Sequence, residues 1–228
     1  MFCLSASATE IGTLTSWDGS FHITALGAQT STYGQTFSVG STAYLNTWTF
    51  FVRDSSAPGQ PNLLFDAVLT GWSSDRAVGP TLFEAKGLSV PDSDRGQFYE
   101  VTLNVGEVLL TANASYVMFL NTSNYQTSLS QKADLGATPN IYVDGEFWYQ
   151  LSYNRRDNVF EYPWTCADEG NGCRYGDSAF RATLSPIPEP SVLSLLIAGL
   201  VILLRPNHSL NRTHCGVRPK ARHFILDL

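Results

Sequence analysis

Apolar and polar positions alternate with a period of two along most of the first 185 residues, the signature of extended chain rather than helix. In Leu45–Val52 the side chains of Trp48, Phe50 and Val52 fall on one face. Tyr99, Val101 and Leu103 alternate with Glu100 and Thr102 as in a half-buried strand, and Phe180, Ala182 and Leu184 repeat the pattern near the end of this region. Leu63–Leu69 and Ser115–Leu120 are too apolar to alternate, which predicts inner strands covered on both faces. Ile141–Val143, Asp144-Gly145 and Phe147–Tyr149 predict a hairpin around an Asp-Gly turn. Gly, Pro, Asn, Asp and Ser clusters recur roughly every 8–15 residues, giving about ten strands, and no helix of ten residues is predicted before position 190. The expected architecture is all-β, a two-sheet β-sandwich of jelly-roll-like type over residues 9–185, followed by one short C-terminal transmembrane helix. A body of this length makes one domain with a sizeable core.

The pattern changes abruptly after Pro186. Ser191–Leu204 is an uncharged apolar run that as a helix extends about 21 Å, short of a hydrocarbon core of about 30 Å. It suits a thinned or briefly occupied membrane site. A buried core helix is the alternative for a run of this length, but the flanking prolines and the basic tail pack poorly in a core. Pro190 fits a first helical turn, and Pro206 closes the other end. Residues 205–228 carry Arg205, Arg212, Arg218, Lys220 and Arg222 against Asp227, which predicts a cytoplasmic tail with the body outside.

The order Pro188-Glu189-Pro190, apolar run, Arg205 resembles the PEP-CTERM sorting signal of exported bacterial proteins. The resemblance implies an exosortase-type membrane protease as partner, with Pro188, Glu189 and Pro190 presented to it while Arg205 holds the cytoplasmic end. It further implies inner-membrane anchoring through Ser191–Leu204 during sorting, then delivery to the cell surface or an exopolysaccharide-rich extracellular matrix. The pieces Gly34–Val39, Gly79–Glu84 and Leu110–Val117 look like recurring phrases of the exported domains that precede this signal. No shared catalytic residue set comes with the resemblance. At the other end, Ala6-Ser7-Ala8 makes an A-x-A cleavage site behind MFCLS, so residues 1–8 read as the remnant of a signal peptide. The domain reading is then 1–8 signal remnant, 9–185 exported body, 186–204 sorting signal with its apolar helix, and 205–228 basic cytoplasmic tail.

Charge narrows the partners. Up to Ser185 there are 18 acidic and 9 basic residues, a balance that repels nucleic acid and anionic lipid. Of the four cysteines, Cys3 falls in the signal remnant and Cys215 in the tail. Cys166 and Cys173 bracket a short loop, a natural disulfide in an oxidising compartment, with free thiols and a zinc site as alternatives. Zinc lacks its remaining ligands nearby.

Candidate chemistry in the body is sparse, and no cofactor is expected. His22 is the one histidine before Ser185, in the strand Phe21–Thr24, and no G-x-S-x-G elbow is present. Glu100, Asp144 and Glu146 are carboxylates that a glycosidase needs about 5–10 Å apart, although strand faces and turns explain them equally well. Asp92, Asp94 and Asp168 are calcium candidates with turn chemistry as the competing account. Trp72 at a strand end, Trp148 beside the turn and Trp164 beside the cysteine loop, where it is expected to be exposed, suggest an aromatic platform for carbohydrate, against packing as the other use of such rings. The reading is a non-enzymatic exported surface or matrix protein, with a carbohydrate-binding module, or a sugar-cleaving one, as the alternative.

Overall fold

Thr, Val, Tyr, Phe and Trp suit the pleated surface of a sheet, and strands dominate the described residues. The computed structural model describes residues 8–90, 96–125, 129–151, 159–166 and 176–187. The chain divides into two units at Pro188, and every described residue belongs to the first. The strands are β1 (Thr9–Gly12), β2 (His22–Leu26), β3 (Thr30–Ser38), β4 (Ala43–Asp54), β5 (Leu64–Ser73), β6 (Arg76–Ser89) and β7 (Tyr99–Leu110). They continue with β8 (Ser115–Asn121), β9 (Ala133–Thr138), β10 (Phe147–Leu151), β11 (Thr165–Cys166), β12 (Asp177–Ser178) and β13 (Phe180–Pro186). The single helical element among the described residues is a 3-10 turn, Leu14–Ser16.

All thirteen strands join one hydrogen-bonded sheet in the order β1-β13-β4-β9-β2-β3-β8-β5-β6. β7 lies on β4, β10 on β3 with β11 beyond it, and β12 on β9. The two separate sheets expected from the sequence are thus linked by hydrogen bonds. The link arises because β4 changes partner along its length, pairing β13 over Ala43–Phe50 and β9 over Val52–Asp54. Every pairing is antiparallel except the single parallel contact Leu26 to Thr30 between β2 and β3.

The predicted faces are present. Trp48, Phe50 and Val52 of β4 all enter the main core, as do Ala182 and Leu184 of β13 and Leu103 of β7, while Glu100 is exposed. Phe37 of β3 meets Trp48 at 4.8 Å between ring centroids, although β3 and β4 are not hydrogen-bonded neighbours. Trp48 also stacks on Phe180 at 4.7 Å with an interplanar angle of 6°. The inner-strand expectation holds for β5 and β8. Tyr116, Met118 and Leu120 point into the main core, whereas Val117 and Phe119 enter a second apolar cluster with Val68, Ala77, Val159 and Trp164.

The expected hairpin over 141–149 does not form. Asp177 Oδ2 accepts the backbone N–H groups of Ile141 at 2.9 Å and Tyr142 at 2.8 Å, so those donors are unavailable to a ladder. Phe147–Leu151 pairs with β3 instead, and Gly145 lies so close to the Thr36 carbonyl that a Cβ would stand 1.8 Å from its oxygen. Among the described residues no helix is long and apolar enough to cross a membrane. The predicted helix Ser191–Leu204, with Pro188, Glu189, Pro190 and Arg205, lies outside them.

The indole Nε1 of Trp48 is buried with no hydrogen-bond partner among the described residues. Trp48→Ala opens a large cavity beneath Phe37 and Phe180 and is expected to cost about 3–5 kcal/mol. Trp48→Phe removes the unpaired donor together with part of the ring and is expected to cost much less. Urea unfolding of both variants checks the order.

Candidate functional site

Three tryptophans far apart in sequence come together on the face of β3, β8 and β5 that points away from the main core. Trp72 lies near the end of β5, opposite Ala77 of β6. Trp148 in β10 sits opposite Gly34 of β3 on one side and Cys166 of β11 on the other. Trp72 and Trp148 are 5.1 Å apart between ring centroids at 52°, and Trp164 meets Trp72 edge-on at 5.4 Å. Trp164 in turn meets Phe119 edge-on at 5.2 Å.

The three have different exposure. Trp164, expected at the surface from its place beside the cysteine loop, is 4% exposed. Its ring lies in the space a side chain at Gly34 would take, since a Cβ there would be 2.8 Å from the indole. Its Nε1 donates to the Val159 carbonyl at 2.8 Å and its backbone N–H to that of Asp75 at 2.7 Å. Trp164 is therefore the foundation of the cluster. Trp72 and Trp148 are half-buried above it and wall an open cleft of about 220 Å³. Thr36, Ser74, Ser115, Asp144 and Glu146 line the same cleft. A second depression of about 230 Å³ shares Asp144 but has no aromatic ring on its walls.

The acidic wall is tied down by its backbone. Thr36 N donates to the Glu146 carbonyl at 2.9 Å, and Glu146 N donates to Thr36 Oγ1 at 2.8 Å. Below it, fully buried Asp177 holds Ile141 and Tyr142 through Oδ2 and accepts from Gln35 Nε2 at 3.1 Å through Oδ1. Gln35 Oε1 accepts the Ser178 N–H at 2.7 Å and completes the tie. Burial pushes the Asp177 carboxyl above its usual value, against the opposing pull of its Tyr142, Ile141 and Gln35 donors. Burial, and then the Asp177 charge, pushes Glu146 up as well. The Tyr142 hydroxyl is raised by burial and by the Asp144 and Asp177 charges.

The other candidates fall elsewhere. Glu100 is not on the cleft and pairs with Arg181 Nη2 at 2.7 Å. His22 has both ring nitrogens engaged, Nδ1 with the Ser20 carbonyl at 2.7 Å and Nε2 with Arg53 Nη2 at 2.8 Å. Arg53 is itself held by Asp134 at 2.6 Å. Asp92, Asp94, Asp168 and Cys173 lie outside the described residues. Among the described residues no group of three or more His, Cys, Asp or Glu side chains could hold a metal. Cys166 is buried on β11, and its sulfur is not free. Thr36, Ser74, Ser115 and the Asp177–Gln35 tie were not predicted.

No protein-family model matches the chain. No curated protein matches it at a significant level of similarity. The likeness to a sorting signal therefore rests on the residues that carry it.

Asp177→Ala leaves the Ile141 and Tyr142 backbone N–H groups and Gln35 Nε2 without this acceptor and is expected to cost about 1–3 kcal/mol at neutral pH. The sign of the pH effect follows from the raised carboxyl. The folded state holds that proton more tightly than the unfolded chain, so the contribution of Asp177 to stability is largest below pH 3.8 and declines as pH rises through the folded value. The stability gap between the unmutated protein and Asp177→Ala is expected to narrow over that window, as read from urea unfolding at a series of pH values.

Proposed function

We propose that the body is a non-enzymatic glycan-binding module of the cell surface or an exopolysaccharide matrix, and that Trp72 and Trp148 form its contact surface. One observation carries the reading: two partly exposed indoles share an open cleft with Ser74, Ser115 and two acidic residues, Asp144 and Glu146. Sugar rings present apolar C–H faces and hydroxyl edges, and a cleft with aromatic walls and a few placed polar groups complements both. The pair Asp144 and Glu146, with Glu146 holding its proton more tightly than usual, also has the composition of a glycosidase site. Turnover abolished by Glu146→Gln would replace binding by cleavage.

The architecture proposed for this body is a β-sandwich of jelly-roll-like type, its one sheet folded so that the β3-β8-β5 and β13-β4-β7 parts face each other. The Phe37–Trp48 contact between unpaired strands supports it. A Cys166–Cys173 disulfide closes the loop beside Trp164 in this reading, supported by the engaged sulfur of Cys166. Export and sorting rest on the sequence: Pro188-Glu189-Pro190, the apolar Ser191–Leu204 and Arg205 present the chain to an exosortase-type protease, with the inner membrane as a transient anchor.

Trp72→Ala and Trp148→Ala are each expected to weaken binding to a retained glycan about tenfold or more. Trp164→Ala is expected to reduce stability instead, by about 3–5 kcal/mol. Glycan-array retention alongside thermal unfolding separates the two effects, and retention indifferent to both Trp72 and Trp148 sinks the platform. Replacing Pro188 and Pro190 by Ala is expected to leave the body folded while the protein stays in the inner membrane. Fractionation of the native host reads this, and unchanged surface display would overturn the sorting reading.

A further inference from the structure

Among the described residues the charge of the cleft has one sign. Its two ionisable wall residues there, Asp144 and Glu146, are both acids, and no described residue lining the cleft is a cation. Neither carboxylate has a hydrogen-bond or ion-pair partner among the described residues. Arg76, two positions after the wall residue Ser74, has its guanidinium on Asp75 at 3.1 Å and on the Glu161 carbonyl at 3.4 Å. Buried Asp177 adds a third acid behind Glu146. The two indoles contribute in the same sense, since the face of an aromatic ring attracts a cation.

We propose that the cleft selects glycans bearing protonated amino groups, of the de-N-acetylated hexosamine type, over neutral and uronate-bearing glycans. The proposal rests on the glycan-binding reading and narrows it to a ligand class. A neutral sugar seated on Trp72 and Trp148 strips water from Asp144 and Glu146 and supplies no counter-charge, which is costly. A uronate adds a like charge to the same space. An ammonium group supplies the missing partner to the carboxylates and a cation to the ring faces at once. The wider acidic body steers the same class of ligand toward the cleft.

The test compares hexasaccharides of glucosamine, N-acetylglucosamine and a uronate for binding to the purified protein, at slightly acid pH where sugar amines carry their proton. The glucosamine oligomer is expected to bind at least about tenfold more tightly than the acetylated one, and the uronate least. In Asp144→Asn/Glu146→Gln this preference is expected to fall close to parity, while Trp72→Ala weakens all binding. Val143→Lys is a second variant that keeps both acids. Val143 is 93% exposed on the cleft wall, so the added cation leaves packing untouched and is expected to abolish the preference.

Equal binding of the acetylated and free-amine oligomers, with both lost in Trp72→Ala, overturns the selectivity and leaves the glycan reading standing. Amine-dependent binding that survives the double acid variant and Trp72→Ala alike arises from the acidic surface at large and overturns the proposal. Retention of none of the three oligomers, nor of any glycan on an array, overturns the glycan reading itself.

Discussion

The outer face of this protein depends on one close approach, that of the Trp164 ring to the backbone at Gly34. Any side chain at position 34 would meet Trp164, Val117 and Phe119 at about 3 Å or less, so the indole reaches the sheet only because there is none. From that seat Trp164 supports Trp72 edge-on and covers Phe119, and β11, which follows it, pairs with β10. β10 brings Trp148 alongside. β8 thereby gains a second apolar face besides the main core, which explains why it is buried at every position after its first. Moving the ring outward by the width of one methyl would separate the foundation from the two indoles it supports.

The acidic side of the cleft is organised by another kind of interaction. Asp177 and Gln35 are buried polar groups, and a buried carboxylate costs desolvation energy that its raised proton affinity records. Three N–H donors offset part of that cost, and two of them belong to the segment that leads into Asp144 and Glu146. A ladder would have held Ile141–Val143 as strand with alternate side chains on opposite faces. Side-chain capture of the donors releases that geometry, and the backbone clasp at Thr36 then fixes where Glu146 stands. An energetically unfavourable buried acid is consistent with a positioning role, because an apolar residue would have packed there without directing the loop.

Much of the strand content was readable from periodicity because it reports burial directly. β7 alternates between covered and exposed positions and β13 between buried and half-buried ones, and β5 and β8 lose the alternation since both faces are covered. The joined sheet was not readable, because the partner change along β4 is a property of where the chain returns, not of any local residue. The hairpin over 141–149 was misread for the same reason: a strong local Asp-Gly signal was overruled by a carboxylate more than thirty residues ahead. For the site, each tryptophan was singled out on local grounds, but their convergence was invisible, as Trp72, Trp148 and Trp164 meet only through the order of strands. Trp164 was placed outside because it adjoins the cysteine loop, whereas a glycine 130 positions earlier in the chain makes room for its burial.

Exposure distinguishes the uses to which the tryptophans are put. Trp48 and Trp164 are buried almost completely, so this fold has the means to cover an indole where stability requires it. Trp72 and Trp148 could have been covered in the same way, since Val159 and Trp164 already pack on that face. They instead remain half-buried at a cleft whose other walls are polar. Packing alone gives no reason to keep two large apolar rings in contact with water, nor to place two unpaired acids beside them. A ligand with an apolar face and a positive charge accounts for both features together, whereas core formation accounts for neither.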